Sequence, residues 1–276
     1  MIDGMRIVMF SRPAAIVAVI LSVGSIAGAA DPPVLARART AYNVADYDAA
    51  IALAEEAITQ EVNADVAALV AVRARLERFR LAGDSVDLSS AYSTLRAIAW
   101  QRLKPREQTE LLVAQGLALY LGGDYGSAAE LFDSALARVG LLGLSDDGRL
   151  LEWWALALDR QAQSLPADHQ GGVYDRIAVR MEQAVRDNPA SVPANFWLAA
   201  ALRGAGESDR AWAAAMAAWV RVPIEVPGAQ ALRQDLDQLI SVGVVPEFSR
   251  QHPRAEWDGA ATDLESRWAA FKREWE

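Results

Sequence analysis

Paired carboxylates, two histidines and one short glycine motif are the residues of this chain whose types could support chemistry. Glu55-Glu56, Asp146-Asp147 and Asp235 with Asp237 could do general acid–base work, which needs two carboxylates converging in a dry cleft. Each pair instead falls on a polar face or near the start of an expected helix, where the helix dipole favours negative charge. Asp168-His169 could contribute to a metal site, but His169 and His252 both fall in expected loops. Gly204-Ala205-Gly206 is a fragment of a dinucleotide motif that lies between helices rather than after a strand, so it reads as a turn. The chain has no Gly-x-x-x-x-Gly-Lys-Ser/Thr phosphate loop, no His-Glu-x-x-His zinc motif and no Gly-x-Ser-x-Gly elbow. It has no cysteine, which removes disulfides, thiol catalysis and Cys-ligated metal. The expectation is a chain without catalytic residues, metal or cofactor.

The elements that must position any site are helical. Of 276 residues, 53% are hydrophobic and 23% charged, which suits a helix-rich folded body. The formal charge of −9 opposes the positive stripe that nucleic acid needs, so no nucleic-acid partner is expected. Arginine supplies the positive charge, with Lys104 and Lys272 the two lysines.

Residues 1–30 have the pattern of a secretory signal. Arg6 and Arg12 precede an apolar stretch from Ala14 to Ile26, then Ala27-Gly28-Ala29-Ala30 and the polar break Asp31-Pro32-Pro33. Cleavage near Ala29 or Ala30 places the chain in the periplasm or otherwise outside the cytoplasm. The alternative is an uncleaved anchor, because the uncharged run from Pro13 to Ala30 reaches the lower edge of a spanning length. Membrane contact is expected through this segment alone.

Beyond Asp31 the hydrophobic period is helical throughout, with no strand-like alternation of useful length. The spacing predicts helices over 34–42, 47–59, 64–80, 87–100, 107–121, 125–139, 149–163, 173–187, 191–203, 209–220, 230–241 and 262–274. Asp87 is the expected N-cap of the fourth. Ser164 to Gly172 is expected to be the longest loop.

The helices repeat. Gly122-Gly123-Asp124-Tyr125 is followed by Ala128, Phe132, Ala135 and Leu136, and Ala45-Asp46-Tyr47 by Ala50, Ala54 and Ala57. With Gly116 ahead of the turn, this pattern resembles the tetratricopeptide repeat family. The segment with Leu198, Ala199, Gly206, Ala211, Ala218 and Pro223 matches less well, since Ser208 replaces the aromatic. Residues 66–103 match poorly. The resemblance covers about 190 residues, 34–223, and implies an all-α, α-α superhelix. It would comprise about five helical hairpins over 31–225, with C-terminal capping helices over 226–276. Small residues let helix axes approach, and aromatics fill the neighbouring holes.

The resemblance also implies a binding surface on the first helices of the hairpins, where such arrays hold peptides or partner segments. Mapped here, that face carries Arg39 and Tyr42, then Val113, Leu117, Tyr120 and Leu121, then Trp154 and Leu158, then Phe196 and Arg203. The lining is apolar and aromatic on this mapping, unlike the basic clamp by which some members hold acidic peptide ends. Leu264, Trp268, Phe271 and Trp275 form one stripe on the last helix, which must cap the array, fill its groove or enter a partner. The expected function is a non-catalytic, exported scaffold or adaptor that binds another protein or peptide in the bacterial cell envelope. The alternative is a periplasmic protein that binds a small solute or lipid alongside a transporter.

Overall fold

The computed structural model describes residues 33–60, 63–142, 148–250 and 253–275. The candidate signal segment, Asp146-Asp147 and His252 lie outside the described residues. The chain is all-α, a helical-repeat array with no strand among the described residues. The helices α1 (Pro33–Asn43), α2 (Tyr47–Thr59), α3 (Ala64–Ala82), α4 (Ser85–Ala97), α5 (Pro105–Leu121) and α6 (Tyr125–Leu142) come first. Next are α7 (Arg149–Ser164), α8 (Ala167–Asp187), α9 (Val192–Gly204) and α10 (Ser208–Arg221). Last are α11 (Ala229–Gln238), a π-helical stretch (Leu239–Val244), α12 (Val245–Ser249) and α13 (Trp257–Glu274). Two compact units divide the chain inside α7, between Ala157 and Leu158.

In the first unit α1 packs on α2, α3 on α4 and α5 on α6, while α3 also lies against both α1 and α5. A left-handed residue followed by an aspartate makes the turn of all three hairpins, with the same backbone bonds at Ala45 and Gly123. Ala45, Gly83 and Gly123 adopt left-handed backbone with φ of 60°, 73° and 89°. Each is followed by an aspartate that caps the next helix. Asp46 accepts from the Ala49 N–H at 3.1 Å, Asp84 from Val86 at 2.9 Å and Asp124 from Ser127 at 3.3 Å. Asp84, not Asp87, therefore opens α4. Asp87 turns inward instead, 2% exposed, and accepts from Arg78 Nε at 2.7 Å and from its terminal nitrogen at 2.5 Å. Arg78 also reaches Asp48 on α2 at 2.5 Å, so one guanidinium joins three helices.

Close approach within a hairpin rests on a missing side chain. A Cβ at Gly116 on α5 would lie 2.7 Å from the ring of Phe132 on α6, which is fully buried. Ala128 and Ala135 are buried with it, and Trp153 packs 6.2 Å from Phe132, centroid to centroid. These are the small and aromatic residues of the repeat pattern, performing the packing expected of them.

In the second unit α8 packs on α9, α9 on α10 and α11 on α9. The turn at Gly206, φ 83°, repeats the backbone bonds of the first unit: Glu207 N–H to Leu202 O matches Asp124 to Leu119 and Asp46 to Ala41. Here a Cβ at Gly204 would meet the Tyr174 ring at 2.5 Å. The expected loop from Ser164 to Gly172 is a correction. Helix α8 starts at Ala167 behind Pro166, and the Gln170 side chain returns to the Leu165 carbonyl at 2.9 Å. The burial of Tyr174 and Ile177 outweighs the cost of Gly171-Gly172. The expected helix 230–241 is longer as well, running through the π-helical stretch into α12. Gly243 in that stretch leaves room for Arg203, whose atoms lie 2.5 Å from where a Cβ would stand. Arg203 pairs with Glu247 at 2.8 Å.

Candidate functional site

The sequence leaves a row of arginines on the neighbouring helices of the first unit. Arg39 comes from α1, Arg73 from α3 and Arg106 from α5. With Tyr42, Asn43, Val70 and Glu110 they line one open recess of about 80 Å³. Because α1, α3 and α5 lie side by side, residues far apart in sequence meet here without any loop being involved.

The recess is built around Glu110. Its carboxylate accepts from Arg73 at 3.3 Å on one oxygen and from Arg106 Nε at 3.2 Å on the other. The Arg73 guanidinium also sits 4.5 Å over the Tyr42 ring, a cation–π contact. Burial opposes ionisation of Arg73, but Tyr42 and Glu110 outweigh it and hold the pKa above the ordinary value. Burial pushes the Tyr42 phenol up, keeping it a neutral hydroxyl that can donate. Behind them Glu77, 2% exposed, has its pKa raised by burial, against the pull of Arg80 at 2.9 Å. Three guanidinium groups and the Glu110 carboxylate line the recess. A guanidinium is a planar donor suited to carboxylate or phosphate oxygens.

The residues picked out from sequence separate into different places. Arg39 and Tyr42 line the recess. Val113, Leu117 and Trp154 are buried, Trp154 to 1% exposure, while Tyr120 and Leu121 are half-buried. Tyr120 stacks edge-on against Tyr125 at 5.4 Å and Trp153 at 5.0 Å. In the second unit Leu158 is buried, Phe196 is half-buried against Trp197 at 5.5 Å, and Arg203 is tied to Glu247. An apolar, aromatic lining therefore does not describe the recess, which is polar and cationic. Sequence reasoning missed Asn43, Arg73, Arg106 and Glu110. A signal for two of them was present, since Arg39, Arg73 and Arg106 recur at intervals of 34 and 33 residues, close to one repeat.

The other candidates take simple positions. His169 and Asp168 lie exposed in the first turn of α8, 3.8 Å apart. Glu55-Glu56 is exposed on α2. Asp237 on α11 accepts from Trp268 and Lys272. Among the described residues no group of three His, Asp or Glu side chains gathers as a metal site, and no helix is long and apolar enough to cross a membrane. No family model, curated protein or solved structure matches this chain.

Proposed function

We propose that this chain is a non-catalytic adaptor of tetratricopeptide-repeat type, acting outside the cytoplasm, that holds an anionic segment of a partner protein in the recess of α1, α3 and α5. The observation that carries the reading is the supply of one arginine from each of three successive hairpins to a single opening, in a chain whose formal charge is −9. A cationic hollow on an acidic body attracts a negative group locally while the rest of the surface repels non-specific anions. Tyr42 and Asn43 add hydrogen-bonding groups beside the arginines, and Val70 adds an apolar wall. The turn geometry repeated at Ala45, Gly83, Gly123 and Gly206 supports the repeat type, and the basic-apolar-small pattern of residues 1–30 supports export.

The test is fluorescence anisotropy with a labelled peptide ending in two aspartates and a free carboxylate. Its C-terminal amide and a lysine-ended peptide serve as controls. The free-carboxylate peptide should bind best, and Arg73→Ala and Arg106→Ala should each weaken it by about 10- to 150-fold, as loss of a charge-assisted bond of about 1.5–3 kcal/mol requires. Equal binding of all three peptides, or indifference to both substitutions, ends the reading. A second reading, a small-solute binder, is favoured by the small volume of the recess, about 80 Å³. Its solute would be an organic anion rather than an apolar one, because the cavity wall is arginine-rich. A panel of small dicarboxylates in the same assay separates the two.

A further inference from the structure

The last helix is held very differently from the others. Of the 18 residues of α13, Trp268 alone is buried, at 3% exposure, whereas α9 buries seven of 13. Leu264 and Phe271 stay half-exposed, and Trp275 lies past the helix end at 50% exposure, so the expected four-residue stripe shrinks to one anchor. The main helical neighbour of α13 is α12, only five residues long.

What receives Trp268 is an aromatic slot with one polar end. Trp212 and Trp219, one heptad apart on α10, meet it edge-on at 5.9 Å and 5.5 Å between centroids. Phe248 of α12 stands edge-on to Trp212 at 6.4 Å, closing that side. Asp237 on α11 supplies the polar end. One of its oxygens accepts from the indole N–H of Trp268 at 2.6 Å and from Lys272 Nζ at 2.5 Å. The requirements are therefore explicit: an indole with its N–H, and a cation one helical turn further on. Edge-on aromatic contacts reward a specific ring placement, and the carboxylate rewards a specific donor pair.

We infer that this slot is a helix-accepting interaction site, that α13 is its resident and exchangeable occupant, and that its partner is a helix bearing tryptophan followed four residues later by lysine or arginine. A helix held by a single buried side chain, with Lys272 and Arg267 adding contacts at its rim, opens without unfolding the hairpins beneath it. While it is docked, its tether gives it a local concentration in the millimolar range, so a competing helix enters only when it binds well or when α13 is weakened.

The experiment uses the full-length protein and a labelled synthetic peptide of residues 257–275. Trp268→Ala in the protein vacates the slot. The peptide is expected to bind that variant at least about tenfold tighter than the unsubstituted protein, whose own helix competes. A peptide carrying Trp268→Ala should bind neither. Adding Asp237→Asn to the vacated protein should weaken the native peptide about tenfold. Hydrogen exchange across α9 and α10 should be unchanged by Trp268→Ala. Equal peptide binding to both proteins, or none to the variant, overturns the inference. So does loss of protection across α9 and α10, since α13 would then belong to the core it is said to cover. Undiminished binding to the Asp237→Asn protein overturns the role given to that carboxylate.

Discussion

The first and second units use the same hairpin turn but dispose of their polar burden in opposite ways. The first unit buries acids and answers them with arginine: Asp87 with Arg78, Glu110 with Arg73 and Arg106, Glu77 with Arg80. The second buries Asp159 and answers it with neutral donors, Tyr174 at 3.0 Å and Gln163 at 2.7 Å. Two of its cations lie over aromatic rings, Arg233 over Trp219 at 4.9 Å and Arg267 over Trp212 at 5.8 Å, while Arg203 and Lys272 pair with Glu247 and Asp237. The contrast teaches that a repeat fixes helix placement while leaving the chemistry of each face open. On the proposed readings, charge on a neighbouring-helix face makes an opening for an anion, and aromatics on a helix pair make a slot for a ring.

Each half of the contrast can be tested separately. The largest expected effect is on the shared hairpin itself: Phe132→Ala should lower unfolding free energy by about 3–5 kcal/mol, because Gly116 opposite offers nothing to fill the hole. Urea unfolding measures it. A loss below 1 kcal/mol would show that the ring is not what sets the spacing of α5 and α6.

Arg78→Ala should cost about 1–3 kcal/mol, since Asp87 is then buried without its charge partner. The guanidinium is partly open to water, which keeps the figure at the low end. If Arg78→Ala/Asp87→Ala recovers most of the loss, the pair is confirmed as the cause.

A smaller, opposite effect is expected at Ala45. A non-glycine residue there holds φ at 60°, where the other hairpin turns have glycine. Ala45→Gly should therefore stabilise by about 0.5–1 kcal/mol, the relief of left-handed strain less the added chain entropy. Thermal melting with a raised midpoint is the expected result.

The smallest effect separates the two kinds of buried acid. Burial holds the Asp159 carboxyl above the ordinary value of 3.8, with Tyr174, Arg160 and Arg203 opposing the shift. The folded state therefore binds this proton more tightly than the unfolded chain. The resulting stability is full below pH 3.8 and is lost as pH rises through the folded pKa. Asp159→Asn should flatten that part of the pH profile and leave neutral-pH stability equal or higher. A variant whose melting temperature tracks the unsubstituted protein at every pH would show that Asp159 is ionised at no cost.

The repeat was legible where small and aromatic residues carried it. Gly123-Asp124-Tyr125 and Gly206 announced their turns, and Gly116, Ala128 and Phe132 announced their packing. Gly83-Asp84 marked the end of the third helix but not its place in the repeat, because α3 is 19 residues long against 11 for α1, which displaces the register through residues 66–103. Assigning the N-cap to Asp87 followed from that displacement, and so did the silence about Arg73. Without a register for the second hairpin, its inner face could not be mapped. Arg39 and Tyr42 were reachable because the first hairpin kept its spacing. Ala45 gave no warning, since alanine carries no preference for the left-handed region. The π-helical stretch gave none either, because Gly243 earns its place through Arg203, 40 residues away in sequence.

The placement of Arg39, Arg73 and Arg106 on three different hairpins has a mechanical consequence. An anion gripped by all three is a non-covalent brace across α1, α3 and α5. Through binding linkage, a ligand at a hundred times its dissociation constant adds about 2.7 kcal/mol to the cohesion of the first unit. Occupancy of the hollow and resistance of those hairpins to separation are then one quantity, read equally well by a titration or by a pulling force.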